Sequence, residues 1–119
     1  MKAIKYTALA LALGSTSALA ADCTAPQAPE VPDGASATME DMLTGQKAVK
    51  AFQAENIEYM KCLEPAMTAA EAAVKAGDDG AGDAYQASQE VYNAAVSAEE
   101  AVAGEFNTAI REYKAANPS

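Results

Sequence analysis

The chain reads as an all-α protein, an antiparallel helical hairpin with an N-terminal extended proline arm, and three observations predict that class. From Thr38 to Glu64 apolar residues fall at Met39, Met42, Leu43, Val49, Phe52, Ile57, Met60 and Leu63, mostly three, four or seven apart, as one face of an amphipathic helix requires. A second stripe, Val91, Ala95, Ala98, Val102, Phe106, Ala109, Ile110 and Tyr113, runs through the last third of the chain. Between them Gly77 to Asp83 reads GDDGAGD, a run of turn formers.

Residues 1–20 carry Lys2 and Lys5, then an uncharged run from Tyr6 to Leu13, then Ala18-Leu19-Ala20. That order is a secretory signal peptide with cleavage expected after Ala20. Its apolar run is well short of the roughly 20 residues that span a bilayer. The expected location is therefore periplasmic or secreted, with no membrane insertion after cleavage. The mature chain, residues 21–119, suits one domain.

The arm, residues 21–37, places Pro26, Pro29 and Pro32 at a strict spacing of three. Polyproline II has three residues per turn, so the rings line one face of an extended rod. Such a face can serve a proline-reading domain or lie along the protein's own helix, and the second is expected here. Asp33-Gly34 supplies a turn before the hairpin domain, residues 38–119.

The first helix starts at Ser36 or Thr38, either of which can cap it, with Glu40 and Asp41 in the turn where the helix dipole favours negative charge. Gly45 either admits another backbone closely or marks a soft point. Pro65 is expected to kink or end the helix, because its ring removes a donor and clashes with the preceding turn. The pattern resumes over 66–76 and stops at Gly77. A separate helix over 66–76 would make a three-helix bundle, the structural alternative. Asp83 and Gln86 form a variant capping box, so the last helix is expected from about Ala84 to Asn117. Folding about Asp79 sets residue i opposite roughly 158 minus i. Large then faces small, with Val49 on Ala109, Ile57 on Ala101, Met60 on Ala98 and Leu63 on Ala95, while Phe52 meets Phe106.

Cys23 and Cys62 are the only cysteines. In an exported chain a disulfide is the expectation, and no C-x-x-C spacing suggests redox work. The reach is sufficient. From Cys23 to Thr38 the arm covers about 46 Å as polyproline II, against about 36 Å back along the helix from Thr38 to Cys62.

Seventeen acids face eight bases over the whole chain; without Lys2 and Lys5 the net charge moves from −9 to −11. Such an excess repels phosphate backbones, so nucleic acid is not an expected partner. There is no histidine, which removes the commonest general base and zinc ligand. No catalytic residues and no cofactor are expected. Asp79, Asp83 and Glu90 match positions 1, 5 and 12 of a calcium loop, with Asp78 beside them, but Ala84 stands where the loop needs glycine. These four are at most weak metal ligands, and a helix-capping turn explains them better.

Three blocks stand out: Pro32-Asp33-Gly34, Tyr59 to Glu64 as Y-x-x-C-L-E, and Glu100 to Arg111 as E-A-V-A-x-x-F-N-x-x-I-R. In these the chain resembles small exported bacterial helical proteins of unassigned function, a resemblance that implies no activity. The expected role is an interaction or structural component of the cell envelope, with an unknown protein partner or self-association through surfaces such as Tyr85 and Tyr92. The alternative is a weak divalent-cation binder at residues 77–83.

Overall fold

The structure, a computed structural model, describes residues 23–118; the expected signal peptide lies outside them. Helix α1 spans Met39–Ala76 and helix α2 spans Ala81–Ala116. They form an antiparallel helical hairpin, with no strand among the described residues.

Thr38 starts α1 with a complete capping box. Its Oγ1 accepts from the Asp41 amide at 3.1 Å, and its own amide donates to Asp41 Oδ2 at 3.0 Å. Two of the unpaired donors at the helix start are thereby satisfied. At the other end Gly77 takes a left-handed conformation, φ 76°. Its amide donates to Val74 O, and the Asp78 amide donates to Ala73 O, closing a Schellman turn.

Pro65 neither ends the helix nor separates 66–76 from it, so the three-helix alternative is excluded. The missing donor costs one helical bond. Neighbouring sequence holds the geometry regardless: Leu63 is buried, and six of the eleven residues 66–76 are alanine, the strongest helix former. Helix α2 also begins earlier than expected. Gly80, φ 73°, takes the cap position with no side-chain bond, so Asp83 sits in the first turn and does not cap.

The pairing register differs as well. Asn56 Nδ2 donates to Ala95 O at 2.9 Å, and a Cβ at Gly45 would stand 3.4 Å from the Phe106 ring. Both pairs total 151, seven fewer than folding about the loop centre gives. The last turns of α1 project past the start of α2, and the short loop turns back. Val49, Phe52 and Val102 consequently form the core cluster, with Ala98 and Phe106 against it. The expected Val49–Ala109 and Ile57–Ala101 pairs do not form in this register. Ile57 is 43% exposed.

The proline arm is the third layer. Cys23 is bonded to Cys62, with the two Cα atoms 5.8 Å apart, and nine residues later the Pro32 ring reaches Gly45 on α1. The arm therefore runs antiparallel to α1. Cys62 and Gly45 are about 25 Å apart along a helix, so the arm advances nearly the 3.1 Å per residue of polyproline II. Pro26, Pro29 and Pro32 are each half-buried while Gln27, Ala28 and Glu30 are exposed. One edge of the rod faces the protein, as the spacing of three predicts.

Candidate functional site

Three places carry the side chains of interest: the arm groove, the loop, and a second groove on the opposite flank of the hairpin. In the arm groove Gly34 is buried against the backbone of Ala109, where a Cβ would collide with that residue's carbonyl. At Gly45 a Cβ would lie 2.8 Å from Pro32 Cδ. The arm thus touches both helices, and the two glycines permit it. Shallow clefts border it, one against Glu40, Asp41 and Thr44 of α1, the other against Glu105, Thr108 and Glu112 of α2. Before the capping box, Asp33 organises the turn: its carbonyl accepts from the Ser36 and Ala37 amides, and its Oδ1 from the Ala35 amide.

The loop acids do not converge. Asp78 and Asp79 lie in the turn, Asp83 in the first turn of α2, and Glu90 about two helical turns further on, all exposed. Among the described residues no three histidine, cysteine, aspartate or glutamate side chains come together as a metal-holding group. Asp78 serves the fold instead, its amide donating to Ala73 O and its carbonyl accepting from the Ala81 amide at 3.2 Å.

The second groove lies between the loop-proximal halves of the helices. Glu64, Met67, Thr68 and Glu71 line it from α1, and Tyr85 and Tyr92 from α2, around a volume of about 360 Å³. No arm residue contributes. At 100° per residue the lining positions of α1 point away from Cys62, bonded to the arm, and from Thr44, which borders it. The two grooves are therefore opposite flanks of one helix pair, one filled and one open. Tyr85 is half-buried, and its hydroxyl accepts from Gln89 Nε2 at 3.0 Å. Glu71 pairs with Lys75 at 3.2 Å on the surface.

Asn56, 1% exposed, is the one buried polar side chain among the described residues. Apolar periodicity passes over it, yet a signal existed: Asn56 falls midway between Val49 and Leu63, seven residues from each, in the stripe that faces α2. No helix of the described residues is long and apolar enough to cross a membrane. No protein-family model, curated protein or solved structure matches the chain.

Proposed function

We propose that the protein is an exported interaction or structural component of the cell envelope, acting through helical surfaces rather than through chemistry. The observation that carries this reading is a line of large apolar side chains left in solvent, interrupted by Lys50, on a cross-linked scaffold. Met39 is 57% exposed, Leu43 51% and Ile57 43%. Met39 and Leu43 stand one turn apart, and Ile57, eighteen residues on from Met39, returns to the same angle after five turns. Scattered exposed hydrophobics are ordinary, but aligned ones suit a contact surface.

Other features support the reading. The Cys23–Cys62 bond fits an oxidising compartment. The unfilled groove and the clefts beside the arm are open to water, whereas catalysis favours sites that exclude it. The occupant of the line is a protein partner or a second copy of this chain. In-cell crosslinking of the mature protein, with identification of what is attached, tests this. A specific adduct lost on Leu43→Ser with Ile57→Ser is expected; adducts indifferent to both changes would sink it. Sedimentation over a hundredfold concentration range separates the branches, since a strict monomer removes self-association.

A further inference from the structure

We infer that the open groove between the helices docks an extended basic segment of a partner protein, one bearing two cationic side chains three residues apart. This rests on the reading of the protein as an interaction component and names the chemistry of its partner.

The groove has a repeat in it. Glu64 and Glu71 are seven residues apart on α1, and Tyr85 and Tyr92 are seven apart on α2. Because the helices are antiparallel, Glu64 and Tyr92 mark one end of the groove and Glu71 and Tyr85 the other. Each end offers a carboxylate on one wall and an aromatic ring on the other. That is what a guanidinium or ammonium group prefers: charge neutralisation from one side and the negative face of a ring from the other. Met67 and Thr68 lie between the ends, and Met67 supplies a polarisable floor for the aliphatic stems of such side chains.

The spacing selects the conformation. Seven helical residues advance about 10.5 Å. Three residues of a polyproline II chain advance about 9 Å and return to the same face, whereas three residues of a helix advance only about 4.5 Å. An extended segment therefore brings side chains i and i+3 to the two stations, and a helical one does not. This excludes the folded chain's own Lys47 and Lys50, three apart but on α1. Charge agrees with the choice. No cation lines the groove, and the two that flank it on α1, Lys61 and Lys75, are held by Glu58 and Glu71 in exposed pairs of the kind that yield easily to a better partner.

The test titrates the disulfide-intact protein with an acetylated hexapeptide, Gly-Arg-Gly-Gly-Arg-Gly, followed by calorimetry and by the NMR signals of the tyrosine rings. Saturable binding that shifts Tyr85 and Tyr92 is expected, at least tenfold tighter than a peptide with adjacent arginines or free arginine. Glu64→Gln with Glu71→Gln, and separately Tyr85→Leu with Tyr92→Leu, should each weaken it tenfold or more. Tyr85→Phe with Tyr92→Phe keeps the ring faces and should stay within about threefold, which separates recognition from misfolding. Equal weakening by Glu55→Gln with Glu58→Gln would show a mere net-charge effect and overturn the proposal, as would the absence of a spacing preference or of saturation. A photocrosslinker placed at Tyr92 and another at Leu43 in cells divide the two readings. Capture of a basic segment at Tyr92 is expected; capture at Leu43 alone overturns the groove and leaves the interaction role standing, and capture at neither removes both.

Discussion

The two ends of the hairpin are built differently. At the arm end lie Met42, Gly45, Val49, Phe52 and Asn56, with Val102 and Ala109 facing them, all buried. At the loop end none of residues 64–76 is buried, and in α2 nothing before Ala95 except Ala81. One end has three layers because the arm covers the helix pair; the other has two. What holds the loop end is local: alanine, the left-handed Gly77 cap, and the Glu71–Lys75 pair. Long-range burial gives way to local propensity, and Cys62 sits near the border. The open groove falls on the less buried side, where surfaces that must adapt to a partner are commonly found.

The largest test of this contrast is Cys62→Ser. Releasing a loop of 39 residues should cost about 4 kcal/mol on the chain-entropy model, read as a lower midpoint in urea. Amide exchange should quicken most over residues 39–61 and least over 81–94. An unchanged midpoint would show that the arm contributes nothing. Next in size is Asn56→Ala, which deletes the bond to Ala95 and leaves a void at a fully buried position. A loss of about 2 kcal/mol is expected, and a loss under about 0.5 kcal/mol in the same titration would remove Asn56 as a specifier of register. The smallest pair should differ in sign. Gly45→Ala gains helix propensity but pushes the Pro32 ring, for a net loss of about 1 kcal/mol. Gly82→Ala at the loop end meets nothing within 4 Å and should gain up to about 1 kcal/mol. Matching signs would mean that the arm does not constrain Gly45.

Much of this architecture was legible because it depends on nearest neighbours. The Thr38 cap, the Gly77 stop, the turn at Asp33 and the threefold proline edge are each decided within a few residues. The Cys23–Cys62 bond followed from reach and from there being one possible pairing. Two features were not legible, and one was left open between two readings. The seven-residue shift depends on how the loop returns, which periodicity does not record; Ile57 is exposed because it stands about 100° or more around α1 from the buried Asn56 and Leu63. The open one was Pro65: the helix runs through it, as the hairpin reading had it, because the alanines after it outweigh a single missing donor. Asn56 occupies an apolar stripe as a polar residue whose amide finds Ala95 only in the true register. The paired stations of the open groove were visible only in part: Tyr85 and Tyr92 share a face by spacing, but their alignment with Glu64 and Glu71 required the fold.

The bond from Cys23 to Cys62 also decides how the molecule would bear load. Tension applied at Cys23 and at the end of α2 passes through the sulfurs straight to Cys62, so residues 24–61 are outside the covalent path of force. The arm and the first two-thirds of α1 cannot be peeled from that end while the bridge is intact. Stretching the oxidised chain should release a contour shorter by about 130 to 140 Å, the extended length of the 39 Cα-to-Cα steps from Cys23 to Cys62. A protein tethered in this way carries force through residues 62–116 alone, and residues 24–61 stay outside the stretched contour.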